Sequence, residues 1–286
     1  MPQAVYLNQN GRLIKESNAI ISPNNRSFRY GDGCFETMKL MDNTILLANY
    51  HFERLFASLQ LLQFDVPNYL TADYLQHQIL EVAKKNYHNK LARVRLTVYR
   101  GDGGLYDPEN HFPNYLIQTW DLNSANNLLN ENGLVVDVFT DAIKVCDTYS
   151  HVKSNNYLCY AMAALWAKKH HLNDAILLNP YNRLADATIA NIFIVTKGII
   201  KTPSVSEGCV NGVMRRYLLT QMRVENIPVE ETKISVEELL QANEIFLTNG
   251  IYGIRWIKQI NNINYTNTAS SLLYKQFIKP LLQQSK

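Results

Sequence analysis

Residues 92–100, ARVRLTVYR, constrain the fold more than any other segment. Val94, Leu96 and Val98 alternate with Arg93, Arg95, Thr97 and Tyr99. A period of two belongs to a strand, so this segment is a strand with one apolar face and one polar face. Arg93 and Arg95 stand side by side on the polar face and repel. Either water solvates them, or they read a carboxylate, whose shape matches the guanidinium fork.

The surrounding pattern sets the architecture. Residues 4–8, 12–16, 35–40 and 44–48 read as short strands with Gly11 and Asp42-Asn43 in the turns. Residues 50–64 place Phe52, Leu55, Phe56, Leu59 and Leu62 on one helical stripe. A second helix spans 71–86 with Thr71 as its cap, and NYLIQTW (114–120) is another strand. Residues 121–133 are polar and Asn-rich, a linker composition. The second half contains the strands VVDVFT, AILLN, NIFIVT, IIKTP and EIFLTN, a helix after Lys153, helices over 212–224 and 235–242, and a C-terminal helix. Strands that come in hairpin-like runs predict α+β domains rather than a doubly wound sheet. The expected organisation is a small α+β domain at 1–120, a linker at 121–134, and a larger α+β domain at 135–286.

Composition removes several function classes. A net charge of +3 over 286 residues is too small to argue for nucleic acid or an acidic membrane surface. No apolar run approaches the roughly 18 residues of a membrane span, and the N-terminal segment has no apolar signal core, so a cytoplasmic protein is expected. Cys34, Cys146, Cys159 and Cys209 form no CxxC, and the seven histidines form no HExxH. These spacings argue for reduced thiols and no metal site.

Four places carry candidate chemistry. Lys153 precedes an apolar helix in which Tyr157, Ala161, Ala164 and Leu165 recur at helical spacing, with Ser154, Asn155 and Asn156 as natural N-cap residues. It is either a solvated surface lysine or an amine made nucleophilic by its surroundings. Gly208, Asn211 and Gly212 lead into the helix VMRRYLL, whose free N–H groups suit a phosphate; an ordinary Gly-rich connection is the plainer reading. Asp186 precedes an apolar strand, either as a turn residue or as a buried carboxylate facing a protonated ring nitrogen. Gly101, Gly103 and Gly104 complete no nucleotide-binding motif and suit a tight turn.

The motifs YGDGCFET, HFERLFASLQLL, K…NNYL, DATIANIFIV, VNGVMRR and FLTNGIYGIRWI occur in one order along nearly the whole chain. In this they resemble the class IV (fold type IV) pyridoxal-phosphate aminotransferases, the family of branched-chain aminotransferases, D-amino acid aminotransferases and 4-amino-4-deoxychorismate lyases. The resemblance implies a two-domain fold like that of D-amino acid aminotransferase, with the active site between the domains and the Schiff-base lysine, Lys153, in the larger one. It implies pyridoxal 5'-phosphate as cofactor, small-molecule amino acid and 2-oxo acid substrates, and a homodimer. It puts Arg54, Val213, Met214 and Asn249 on the cofactor phosphate. Tyr157 falls on its phenolic oxygen and Asp186 on its ring nitrogen. Tyr30, Phe35 and Arg95 fall in the substrate pocket.

Three residues depart from the family pattern. Asp186 replaces the usual Glu, Met214 lacks the threonine hydroxyl of some relatives, and Leu105 stands where the familiar lyases carry a loop arginine. Arg95, Tyr30, Tyr157 and Leu105 favour a transaminase acting on a branched-chain-like amino acid and a 2-oxo acid. The VNGVMRR segment, EELLQANEIFLTN and the GDGCF loop favour the lyase, which eliminates pyruvate to give 4-aminobenzoate. A non-catalytic relative is the remaining expectation.

Overall fold

The computed structural model describes residues 5–283; Ala4, expected in the first strand, lies outside them. The described residues form two compact units, one from 5–124 together with 153–156, the other from 125–152 and 157–283.

The first unit contains strands β1 (Tyr6–Gln9), β2 (Arg12–Lys15), β3 (Gly33–Met41), β4 (Thr44–Ile45), β5 (Leu91–Arg100) and β6 (Pro113–Asp121). They form one antiparallel sheet in the order β2-β1-β6-β5-β3-β4. The apolar side of ARVRLTVYR is the core side: Val94, Leu96 and Val98 are buried with Ile117 of β6. Helix α1 is Arg26–Tyr30. Helices α2 (Ala48–Leu61) and α3 (Ala72–Lys85) bring Phe52, Leu55, Leu59, Leu75, Ile79 and Val82 into the core. The expected cap holds: Thr71 accepts a hydrogen bond from the Tyr74 N–H at 3.2 Å.

The second unit contains β7 (Leu134–Phe139), β8 (Asp174–Leu178), β9 (Leu184–Ala187), β10 (Asn191–Thr196), β11 (Ile199–Pro203), β12 (Val229–Thr232), β13 (Glu244–Asn249), β14 (Gly253–Ile260) and β15 (Ile263–Asn264). The sheet order is β12-β11-β10-β13-β14-β7-β8-β9, with β15 on β14. Helices α4 (Leu158–Lys169), α5 (Val213–Val224) and α6 (Val236–Leu240) follow, and α7 (Thr268–Leu273) opens the C-terminal helical segment. Ser235 and Glu238 complete a capping box at α6.

Helix α4 departs from its sequence reading in two ways. Its N-cap is Tyr157, without a side-chain cap, rather than Ser154, Asn155 or Asn156. The Asn155 amide instead donates to the Ser27 hydroxyl at 2.9 Å. Its buried face is Tyr160, Ala163 and Ala167, packed with Phe139, Ala175, Leu177 and Val210, while Leu158 and Leu165 are exposed.

Candidate active site

In the first unit, Lys153 is held by the edge of a strand. β4 pairs with β3 only at Leu40 and Met41, leaving the early part of that edge open. Residues 153–155 occupy it: the Phe35 N–H donates to the Lys153 carbonyl, and the Asn155 N–H donates to the Gly33 carbonyl, each at 2.9 Å. Gly33 has φ +152, and a Cβ there would lie 2.3 Å from the Val98 carbonyl, so the close approach of β3 and β5 requires glycine. The Lys153 ammonium lies 4.5 Å from the centre of the Phe35 ring, and the Arg95 guanidinium lies 3.8 Å from the same centre. Arg95 also donates from Nε to the Thr97 hydroxyl at 3.1 Å. The β3–β5 register, Phe35 opposite Thr97 and Thr37 opposite Arg95, puts these side chains on one sheet face. Tyr30, at the end of α1, packs against Tyr106 at 5.5 Å, and Arg26 lies 5.3 Å from the centre of its ring.

Arg54 belongs to a buried cluster that also contains Glu36 and His51. Glu36 receives two hydrogen bonds from Arg54 and one contact from His51 Nδ1 at 2.6 Å. Burial alone would push its carboxyl up, but Arg54 and His51 together bring it down to about 2. Burial lowers the His51 pKa, which favours the neutral ring. An ionised Glu36 only accepts, so the neutral ring carries its proton on Nδ1, and the buried Nε2 has no hydrogen-bond partner among the described residues.

In the second unit, Asp186 is buried on β9 with both oxygens engaged. Oδ1 accepts from Asn191 at 2.8 Å; Oδ2 accepts from the Tyr160 hydroxyl at 2.9 Å and the Val210 N–H at 2.8 Å. Burial pushes its pKa up to about 6, against the pull of those donors and of Lys144. The Tyr160 ring stacks on Tyr157 at 4.5 Å. The Asn191 amide also donates to the Val210 carbonyl at 2.7 Å and thereby ties Asp186 to the approach to α5.

Helix α5 begins at Gly212 without a side-chain cap, and Val213 and Met214 are buried in its first turn. A Cβ on Gly212 would fall 1.8 Å from Asn191 Oδ1, so only glycine leaves this helix end its place beside Asn191. Asn249, at the end of β13, accepts from the N–H groups of Ile251 and Tyr252 and donates to the Ile189 carbonyl at 3.2 Å. Its side chain therefore shapes the turn around it.

The first unit thus brings Lys153, Phe35 and Arg95 together. The second links Asp186 to Tyr157 through Tyr160, and to the start of α5 through Asn191. Sequence reasoning missed Glu36, His51, Tyr160, Lys144, Asn191 and Thr248. His51 and Arg54, three apart on α2, carried a signal, since that spacing shares a helix face. Thr248 stands opposite Asn191 in the β10–β13 register, is buried, and its hydroxyl has no partner among the described residues; nothing in the sequence marked it.

Residues 33–260 match the profile of the family described as amino-transferase class IV. A Methanocaldococcus jannaschii protein named "Putative branched-chain-amino-acid aminotransferase" is 31% identical over 247 residues, covering 85% of this chain and 83% of its own. The aminodeoxychorismate lyase of Bacillus subtilis is 29% identical over 292 residues, covering 96% of this chain and 95% of its own. In fold, the chain is similar to the crystal structure of branched-chain aminotransferase from the archaeon Thermoproteus uzoniensis with norvaline. The TM-score is 0.89 at 24% identity, covering 99% of this chain and 96% of that one. The expectation of a non-catalytic relative falls away, because the profile spans most of the chain and these relatives are transaminases and a lyase by name. The protein is an enzyme and belongs to the class IV aminotransferase family.

Proposed function

We propose that the protein is a pyridoxal-phosphate-dependent transaminase that moves an amino group between a branched-chain-like amino acid and a 2-oxo acid. The observation that carries this reading is the face shared by Lys153, Phe35 and Arg95: an amine and a carboxylate-reading guanidinium on either contact of one apolar ring. Three features fit the cofactor. Asp186 is a fully buried carboxylate held by donors, α5 starts without a side-chain cap, and the buried Thr248 hydroxyl has no partner among the described residues. When bound, pyridoxal 5'-phosphate supplies an aldehyde for amines and a ring that draws electrons from the substrate Cα.

The chain's own groups do the rest. Lys153 Nζ anchors the cofactor and, once free, carries the proton taken from the substrate Cα. Asp186 holds a proton on the ring nitrogen. The N–H groups of Val213 and Met214 with Arg54 bind the phosphate, and Asn249 shapes the turn beside it. Tyr157 orients the cofactor through its phenolic oxygen. Tyr30 and Phe35 offer apolar surface to the substrate side chain, and Arg95 reads a carboxylate. The family resemblance further supports a homodimer and a cytoplasmic location.

Elimination of pyruvate from aminodeoxychorismate is the second reading, favoured by the similarity to the Bacillus subtilis lyase along 96% of the chain. Leu105, exposed on its loop, favours the transaminase, since it offers no charge to a second anion. Parallel incubation with L-leucine and 2-oxoglutarate, L-glutamate, D-alanine, and aminodeoxychorismate tests both. Formation of the 2-oxo acid of leucine supports the proposal. Release of 4-aminobenzoate and pyruvate, with no amino transfer, overturns it in favour of the lyase.

A further inference from the structure

Asp186 is one methylene shorter than the usual family carboxylate and sits in surroundings that favour its neutral form. An Asp that protonates near neutral pH cannot hold a proton on a ring nitrogen. The structure places a compensating device beside it. Tyr160 reaches from α4 and donates to Asp186 Oδ2 at 2.9 Å, while its ring lies stacked on Tyr157. Behind the ring is Lys144, a buried ammonium 5.9 Å from the ring centre, fixed by a 2.8 Å hydrogen bond to the Ser150 carbonyl.

We propose that Tyr160, backed by Lys144, is a positioning residue that keeps the Asp186 carboxylate ionised and oriented while Tyr157 is held in the same stack. This rests on the reading of Asp186 as the partner of the cofactor's ring nitrogen. The physical case is direct. A donated hydrogen bond stabilises the charged form of a buried carboxylate, and a nearby buried cation does the same through a poorly screened medium. The other groups around Asp186 do not replace them. The Val210 N–H is the strongest of the donors and is fixed by the backbone, and Asn191 donates to the other oxygen, so Tyr160 adds a second donor to Oδ2 while Lys144 alone among these groups brings a positive charge. Cys159 on α4 and Cys209 before α5 have thiol pKa values raised by burial, Cys209 to about 12, so neither brings a positive charge. The structure thus assigns a task to a tyrosine whose hydroxyl the reaction does not otherwise use.

The test reads Asp186 directly. In the cofactor-free protein, carboxyl 13C NMR against pH, with Asp186→Asn to identify the signal, should give a wild-type midpoint near 6. Tyr160→Phe keeps the ring stack and removes the donor, and should move that midpoint about one pH unit higher. Lys144→Met should move it the same way and does not depend on Tyr160→Phe folding. In the loaded enzyme, the acid limb of kcat should shift upward by the same amount in both variants, with activity recovering at high pH. Wild-type uptake of pyridoxal phosphate is measured separately by visible absorption. If the wild type takes up none, the cofactor reading fails, whatever Tyr160 does. If it takes up cofactor but both variants keep the wild-type midpoint and acid limb, the assignment of Tyr160 and Lys144 is overturned and the reading of the site stands.

Discussion

Arg54 and Glu36 are joined by two parallel hydrogen bonds, Nε to Oε1 at 2.7 Å and Nη2 to Oε2 at 2.6 Å, and both side chains are buried. The carboxylate fixes the plane of the guanidinium fork. Removing Arg54 also leaves a buried carboxylate without its main counter-charge. Arg54→Ala should therefore weaken cofactor affinity and also cost about 3–5 kcal/mol of stability in the cofactor-free protein. Arg54→Met with Glu36→Met should recover much of the stability but none of the affinity. Cofactor titration and thermal melts on the same three proteins check this. A double variant with restored affinity would remove Arg54 from the phosphate.

The same cluster sets an acid limit. Glu36 falls from an ordinary 4.5 to about 2 on folding, so its contribution is complete above 4.5 and is lost as the pH falls toward 2. His51 is lowered from 6.5, chiefly by burial, so the unfolded chain takes up its proton first and stability falls as the pH drops below 6.5. His51→Gln should therefore gain melting temperature relative to the wild-type cofactor-free protein as the pH falls below 6.5, a difference that isolates this cluster from the opposite contribution of Asp186. Calorimetry across this range is the measurement.

Asp186 acts with the opposite sign. Its pKa is raised from 3.8 to about 6, so the folded protein loses stability as the pH climbs from 3.8 to 6. Asp186→Asn should raise the melting temperature of the cofactor-free protein by several degrees at pH 8 and hardly change it at pH 3.5. In the loaded enzyme the same substitution should keep cofactor binding but slow removal of the substrate Cα proton by orders of magnitude. Single-turnover kinetics at the wild-type rate would leave Asp186 with only a structural part.

Lys153→Ala should abolish turnover, because the anchoring amine and the proton carrier are lost together. General acid–base work alone supplies at least about 10²-fold. A variant retaining more than about a hundredth of the wild-type rate would contradict the assignment. Borohydride treatment of the wild type, followed by peptide mapping, gives an independent check on the attachment point.

Gly212→Ala sets a methyl group 1.8 Å from Asn191 Oδ1. Asn191 also bonds Asp186, so the displacement reaches both the phosphate end and the ring end of the proposed cofactor site. The expected result is a stability loss of about 1–3 kcal/mol together with a fall in cofactor affinity. Gly198→Ala, with nothing within 4 Å of its added Cβ, serves as the contrast: it carries the cost of its positive φ without touching the site.

The sequence by itself determined the type of most elements it marked, because periodicity and capping are local, while α1, β9, β12, β14 and β15 carried no such mark. The alternation of residues 92–100, the Thr71 cap, the Ser235–Glu238 box and the glycine start of α5 all sit where the residues put them. Motif order carried the family. Tertiary structure decided what each face meets. Helix α4 buries Tyr160, Ala163 and Ala167 and exposes Leu158 and Leu165, the reverse of what side-chain apolarity alone predicts, because small residues let its backbone lie close to β8. The Glu36–Arg54 fork and the Tyr160–Asp186 bond join residues 18 and 26 positions apart on different elements. Hydrogen bonds of that kind depend on where two separately formed elements come to rest, and no periodicity along the chain records it.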